Sequence, residues 1–108
     1  MSDVLQVITT TSSKAEAETI ARHLIERRLA ACVQVSGPIT SVYRWEGKVE
    51  TSAEWQCAAK TVAELYPQVE SAIRQLHSYD EPEIIATMVS AGSSTYLDWV
   101  RRECAAER

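Results

Sequence analysis

The sequence is poor in the residues that mark several common classes of functional site. It contains no phenylalanine, and only three glycines among its 108 residues. Because the three glycines are isolated, the chain has no glycine-rich loop that could hold a phosphate. It also has no asparagine, which an acylphosphatase-like site would need beside its phosphate-holding loop. These absences argue against phosphate chemistry and against a nucleotide loop.

Charge and aromatic content argue against nucleic-acid binding. The net charge is −4, and acidic and basic residues are interspersed along the chain. A nucleic-acid binder needs a basic stripe or patch, and no such stripe is present. An RNA-recognition module also stacks bases on aromatic residues of its central strands. The third predicted strand offers only Trp55, so we expect no nucleic-acid partner.

The cysteines and the short apolar runs indicate in which cellular compartment the protein lies. Cys32, Cys57 and Cys104 are odd in number and widely spaced, which fits neither a disulfide framework nor a zinc site. No apolar run approaches the roughly 20 residues of a membrane span. Residues 1–11 lack the charged and apolar regions of a secretion signal. We expect a cytoplasmic protein with free thiols and no membrane partner.

What the sequence does contain is a long β-hairpin between Ala30 and Thr61. From Val49 onward the apolar and polar residues alternate, which is the pattern of a half-buried strand. On the incoming arm the apolar residues again fall mainly at odd positions. A three-residue loop, Trp45-Glu46-Gly47 with a left-handed Gly47, would place both odd rows on the same face. We therefore predict that loop.

The length of the hairpin predicts assembly. Each arm of about 14 residues spans about 45 Å, whereas helices of roughly 11–17 residues span only about 17–25 Å. Part of the hairpin should therefore overhang its own domain. Tyr43, Trp45 and Val49 would then form an exposed apolar contact surface between copies of the chain. The alternative is a hairpin curled back on its own subunit by a bulge at Gly37-Pro38.

The remaining segments predict an α+β, ferredoxin-like fold in one domain over residues 1–108. The order β-α-β-β-α-β with right-handed crossovers gives an antiparallel sheet covered by helices on one face, here with a long central hairpin and a C-terminal helix. The local signals are a dense apolar strand from Val4 to Ile8, a capping box at Ser13-Lys14-Ala15-Glu16, a helix opened by Tyr66-Pro67, a strand from Glu83 to Ser90, and a helix capped at Gly92-Ser93-Ser94.

A group of polar residues near the hairpin base and the second turn is the candidate site. Buried unpaired charge is costly, so if assembly covers these residues their charges must be paired or must hold a ligand. An interface salt-bridge set and a pocket for a metal or small ligand both fit. Acid–base catalysis by Glu54, Lys60 and Tyr79 is a third, weaker possibility. The members of the group are Glu54, Lys60, His77, Tyr79, Asp80, Glu81 and Glu83.

Within this group we predict a metal site and a ligand site. Imidazole suits zinc and copper while carboxylates suit harder ions, so His77 with Glu81 and Glu83 could hold a borderline divalent ion. We expect weak binding, with copper above zinc, and no catalytic residues. The predicted ligand-binding residues are Glu54, Lys60 and Tyr79, with Lys60 contacting any anion.

The order of the motifs resembles CutA, the family of divalent-cation-tolerance proteins. The run LAACVQVSGPITSVYRWEGKVETSAEWQCAAKT, followed by HSYDEPEII and TYLDWV, carries this resemblance over nearly the whole chain. It implies a ferredoxin-like fold, a stable homotrimer similar in architecture to the PII signalling proteins, and a role in tolerance of copper and other divalent ions.

The sequence departs from that family at the assigned copper ligands. In some bacterial members copper is assigned to a cysteine at the end of the first strand and to a pair of histidines. Here Thr9 takes the cysteine position, and His77 is the only histidine at the second place. The leading hypothesis is a homotrimer that acts in the metal-ion response by binding rather than by catalysis. The alternative is a PII-like sensor of a small anionic metabolite.

Overall fold

The computed structural model of the chain describes residues 3–105, which form a four-stranded sheet and three α-helices. All neighbouring strands are antiparallel, and their order across the sheet is β2 (Cys32–Trp45), β3 (Lys48–Val62), β1 (Val4–Thr11) and β4 (Ile84–Met88). The predicted ferredoxin-like α+β fold with a C-terminal helix is thereby confirmed. In chain order the elements are β1 (Val4–Thr11), α1 (Lys14–Glu26), β2 (Cys32–Trp45), β3 (Lys48–Val62), α2 (Tyr66–Leu76), β4 (Ile84–Met88) and α3 (Ser94–Glu103).

Only one of the two hydrogen bonds of the predicted capping box is present at the start of α1. The Ser13 hydroxyl accepts a hydrogen bond from the Glu16 N–H at 3.1 Å. The Glu16 carboxylate instead accepts from the backbone N–H and the hydroxyl of Ser78, at 2.8 and 2.9 Å. Glu16 therefore ties α1 to the loop that follows α2, instead of completing the capping box.

The odd-numbered row of β3 faces the helical layer. Cys57 donates a hydrogen bond from its thiol to the Ala17 carbonyl of α1, and Thr61 donates one to the Leu29 carbonyl at 2.6 Å. Apolar side chains of the sheet, of α1 and of α2 complete the core. Its fully buried large members include Val4, Val7, Ile20, Leu24, Leu29, Leu65, Val69, Ile73 and Val100. No helix within residues 3–105 is long and apolar enough to cross a membrane.

The hairpin is as long as predicted, but its turn is different. The two strands contain 14 and 15 residues. Trp45 pairs with Lys48, so the loop has only two residues, Glu46 and Gly47, with φ of 51° and 81°. Positive φ at both central residues is what a type I′ turn requires, and its twist matches that of a β-hairpin. The prediction of a three-residue loop was wrong.

A two-residue turn alone would place the odd-numbered residues of the two arms on opposite faces. A β-bulge at Gly37-Pro38 brings them back to the same face at the base of the hairpin. Here two residues of β2 oppose one residue of β3, Trp55. Gly37 has φ of 155°, and a Cβ on it would lie 2.6 Å from Cδ1 of Trp55. On the base side of the bulge Val35 pairs with Cys57, so the odd residues of both arms share a face there, as predicted.

On the tip side of the bulge the pairing changes parity. Ile39 pairs with Glu54, and Tyr43 pairs with Glu50. Directly paired residues of antiparallel strands lie on the same face. Tyr43 and Trp45 therefore share their face of the hairpin with Glu54, and the predicted common face of odd residues does not extend to the tip.

The tip of the hairpin is not covered by its own chain. Val42 and Val49 are 65% and 64% exposed, and Trp45 is 52% exposed. The bulge expected in the curled-hairpin alternative is present, yet it leaves these side chains in solvent. The apolar tip thus has the character of a contact surface.

Candidate functional site

A cavity of about 670 Å³ lies between the outer half of the hairpin and the loop before β4. It is lined by residues 41–45 and Glu54 on the hairpin, by residues 79–83 on the loop, and by Thr10 at the end of β1. Its volume falls within the range of about 300–1,000 Å³ that is common for small-molecule sites. We take this cavity as the candidate functional site.

Glu54 and Tyr79 are joined at the wall of the cavity. The Tyr79 hydroxyl donates a hydrogen bond of 2.8 Å to Oε2 of Glu54. Burial and the adjacent Glu54 carboxylate together raise the pKa of the Tyr79 phenol well above its usual value, because a phenolate there would be both desolvated and repelled. The phenol therefore acts as a neutral hydrogen-bond donor. Both residues had been predicted as ligand-binding, and the structure brings them together.

The Glu54 carboxylate is nearly buried and has no positively charged partner among the described residues. Its residue is only 7% exposed. Within residues 3–105, no cationic group lies at ion-pair distance from it, and no hydrogen-bond donor reaches Oε1. Buried charges in proteins are normally paired or hold a ligand. Oε1 of Glu54 is not among the buried polar atoms that lack a partner in the described part of the chain, so it is open to solvent.

His77 supports the loop rather than facing the cavity. Its side chain is fully buried. Nε2 lies 2.8 Å from the Thr10 carbonyl, which can only accept, so Nε2 carries the proton; Nδ1 accepts from the Tyr79 N–H at 3.1 Å. The Glu16 carboxylate lies 3.5 Å from Nδ1, but an ion pair there would displace the Tyr79 hydrogen bond. Both ring nitrogens are therefore engaged in the fold.

The predicted metal site at His77, Glu81 and Glu83 is not assembled in this structure. Residues 3–105 contain no group of three His, Cys, Asp or Glu side chains placed to hold a metal. Glu81 and Glu83 are exposed and line the cavity, whereas His77 does not line it. Thr9, at the position of the cysteine in the CutA resemblance, is buried. The residues present do not fit the copper ligands that the resemblance implies.

Lys60 lies apart from the other predicted ligand-binding residues. Its ammonium group donates to Oε1 of Gln34 at 2.6 Å, across the β2–β3 pair, and it does not line the cavity. Among the described residues, the charged ones that line the cavity are four carboxylates and Arg44. The cavity is therefore suited to a cation, and the geometry does not favour the anion-sensing alternative or an acid–base group that includes Lys60.

Sequence reasoning missed that Tyr43 and Trp45 belong to this cavity. They had been predicted, with Val49, as interface residues. All three are exposed, but only Tyr43 and Trp45 line the cavity. The signal that could have located them was the Gly37-Pro38 pair, because a bulge there reverses the face of every residue on the tip side.

The comparisons with known proteins all identify the same family. The family model described as CutA1 divalent ion tolerance protein matches residues 5–103. The divalent-cation tolerance protein CutA of Thermus thermophilus is 41% identical over 95 residues, which are 88% of this chain and 92% of that protein. The human protein CutA is 43% identical over 86 residues, 80% of this chain but only 48% of the human protein. The crystal structure of CutA from Xylella fastidiosa has a TM-score of 0.93 at 40% identity, covering 96% of this chain and 100% of that one.

Proposed function

Because this chain belongs to the CutA1 divalent ion tolerance family, we propose that it acts in the response to divalent metal ions by binding them rather than by catalysis. The observation that supports this most directly is a row of exposed carboxylates, Asp80, Glu81 and Glu83, along the loop side of the cavity. Carboxylate oxygens are common ligands of divalent ions. Because residues 3–105 hold no ready-made group of three ligands, binding should be weak and should require these side chains to move.

Copper is the ion that we expect to bind most tightly. A given set of ligands generally binds copper(II) more tightly than zinc. His77 could take part only by giving up its hydrogen bond with Tyr79 or with Thr10. We therefore assign the ion to the carboxylates. Of the three predicted metal ligands, this assignment retains Glu81 and Glu83 and omits His77.

Calorimetric titration with copper and zinc chlorides tests this assignment. The double variant Glu81→Gln/Glu83→Gln should bind copper about tenfold more weakly, a change of about 1.4 kcal/mol. Glu18→Gln is a matched control, because Glu18 is an exposed carboxylate on α1 away from the cavity. Equal binding by the wild type and the double variant would rule out these carboxylates. Loss of binding in His77→Gln with the fold retained would return His77 to the site.

We propose further that the protein assembles as a homotrimer in the cytoplasm. The exposed side chains of Tyr43, Trp45 and Val49 at the hairpin tip provide an apolar surface for contact between copies. The number of copies comes from the resemblance to CutA, which implies a trimer. All three cysteines are free thiols, which suits a reducing compartment.

A further inference from the structure

We propose that His77 is a pH-sensitive switch for the loop between α2 and β4. When its imidazole takes up a proton, the ring exchanges the backbone N–H of Tyr79 for the carboxylate of Glu16, and the loop is released. The inference goes beyond the proposed function, because it needs no metal ion and none of the carboxylates assigned to one. It is carried by one buried ring nitrogen that lies within reach of both a donor and an acceptor.

The neutral ring of His77 holds the loop. His77 directly follows the last residue of α2, and its side chain is fully buried. Nε2 donates to the Thr10 carbonyl at 2.8 Å, which fixes the tautomer and leaves a free lone pair on Nδ1. Nδ1 uses this lone pair to accept from the Tyr79 N–H at 3.1 Å. The ring therefore connects the end of β1 to the backbone of the loop.

Protonation reverses the role of Nδ1. Both ring nitrogens of an imidazolium are donors, and neither can accept. The Tyr79 N–H would then face a second N–H and lose its partner. Oε2 of Glu16 lies 3.5 Å from the same nitrogen and can accept a hydrogen bond from it, while the bond from Nε2 to Thr10 needs no change. Protonation therefore moves one hydrogen bond from the loop to α1.

Glu16 can receive the protonated ring without giving up Ser78. Its carboxylate accepts from the N–H and the hydroxyl of Ser78 at 2.8 and 2.9 Å. The two oxygens of a carboxylate offer about four acceptor positions, so Ser78 stays attached in both states and the release begins at Tyr79. The hydroxyl bond of Tyr79 to Glu54 and the contact of its ring with that of His77, at 4.8 Å between centroids, survive the exchange. The change is therefore local.

His77 is the group at this place that is suited to respond near neutral pH. The titratable groups around the ring and its partners are Glu16 on α1, Tyr43 on β2, Glu54 and Cys57 on β3, and Tyr79 on the loop. Arg74, in the last turn of α2, is paired with Glu70. Burial raises the pKa of both Cys57 and Tyr79, so these two stay neutral. Of all these side-chain types, only imidazole ordinarily changes its charge between about pH 5 and 8.

Solution NMR of the full chain without added metal tests the switch. The imidazole nitrogen shifts of His77 should show the Nε2-protonated tautomer near about pH 8 and a doubly protonated ring near about pH 5. Over the same transition the hydrogen-exchange protection factor of the Tyr79 amide should fall at least about tenfold, whereas that of the Ser78 amide should change little. A constant protection factor for Tyr79, or a ring that stays neutral throughout, would overturn the inference.

Three variants test the partners of the switch. Glu16→Gln keeps an oxygen that can accept from Ser78 but removes the charge, so the midpoint of the transition should fall by about one pH unit. His77→Gln should make the protection of the Tyr79 amide independent of pH. His23→Gln is the matched control, because His23 is the other histidine of the chain and lies on α1, and it should leave the midpoint unchanged. An unshifted midpoint in Glu16→Gln would overturn the exchange, and this variant decides the matter with the wild type if His77→Gln fails to fold.

Discussion

Tyr79 donates a hydrogen bond of 2.8 Å to the carboxylate of Glu54, and this bond joins the loop before β4 to the outer half of the hairpin. The backbone of Tyr79 is fixed as well, because its N–H donates to His77. Beside it, Glu16 of α1 holds Ser78 by two hydrogen bonds. The position of the phenol in the cavity therefore depends on α1 and on the buried imidazole, and not on the loop alone.

Tyr79→Phe should alter stability at alkaline pH. Burial and the Glu54 carboxylate raise the pKa of Tyr79 in the folded protein, so the folded state holds this proton more tightly than the unfolded chain. The resulting stabilisation is complete below about pH 10, the usual tyrosine pKa, and is lost as the pH rises from there toward the folded pKa. Urea denaturation should show a steeper fall in the free energy of unfolding between about pH 10 and 11 for the wild type than for the variant. Parallel curves would contradict this account.

Gly37→Ala should destabilise the protein more than Gly47→Ala. Both glycines have positive φ, but a Cβ at Gly37 would lie 2.6 Å from Trp55, whereas a Cβ at Gly47 would meet no atom of the described residues within 4 Å. The first variant combines backbone strain with a clash against a side chain that packs on the core, and we expect a loss of about 2–4 kcal/mol. The second has backbone strain only, about 1–2 kcal/mol. Denaturant midpoints compare the two variants. Equal losses in the free energy of unfolding would mean that the Trp55 side chain moves aside at no cost.

The order of the elements was predictable because its signals are local. The Ser13 and Ser93 caps and the Tyr66-Pro67 helix start each depend on a few neighbouring residues, and each is present in the structure. Alternation also identified both arms of the hairpin. These signals do not depend on how distant segments pack, and the fold could therefore be predicted from them.

The faces of the hairpin tip could not be predicted in the same way. An extra residue in one strand reverses the face of every residue beyond it, and the bulge depends on Gly37 packing against Trp55 on the other strand. The contacts of His77 could not be predicted for a related reason. Its spacing from nearby carboxylates is visible in the sequence, but its partner, the Thr10 carbonyl, is 67 residues away.

Two buried threonines should respond to valine substitution in opposite directions. The hydroxyl of Thr9 has no hydrogen-bond partner within the described residues, while that of Thr61 donates to the Leu29 carbonyl at 2.6 Å. Thr9→Val removes an unsatisfied polar group and should stabilise the protein by about 1 kcal/mol. Thr61→Val deprives a buried carbonyl of its donor and should cost about 1–3 kcal/mol. Thermal denaturation checks both signs, and a loss of stability in Thr9→Val would indicate that its hydroxyl binds a buried water molecule.

Cys32 should be the first thiol to react in the folded protein. It is half-buried, whereas Cys57 and Cys104 are buried. Burial, with a smaller contribution from Glu16, raises the pKa of Cys57 to about 11, and burial also raises the pKa of Cys104. Since the thiolate is the reactive form, titration with a disulfide reagent near about pH 8 should give a single fast phase, which Cys32→Ser removes. Denatured protein should show all three thiols, and fast reaction of all three without denaturant would contradict the burial of the other two.

The hairpin tip exposes apolar side chains on both of its faces. Arg44 pairs with Val49, and Val42 lies two residues from Arg44, so the two valines share one face. Tyr43 and Trp45 lie on the other. A two-fold dimer gives each copy one neighbour, whereas a closed ring of three gives each copy two. Apolar residues on both faces are therefore better covered in a ring, which agrees with the proposed homotrimer.

Val49→Asp should weaken that assembly. A carboxylate at this position would be buried without a partner at the subunit contact, which is costly in free energy. Ile25→Asp is the matched control, because Ile25 is also an exposed apolar residue but lies on α1. Light scattering at micromolar concentration should give a mass of three 12.0 kDa chains for the wild type and the control, and a smaller mass for Val49→Asp. A wild-type monomer would rule out the trimer, whereas a trimeric Val49→Asp variant would remove Val49 from the interface and leave the contact to Tyr43 and Trp45.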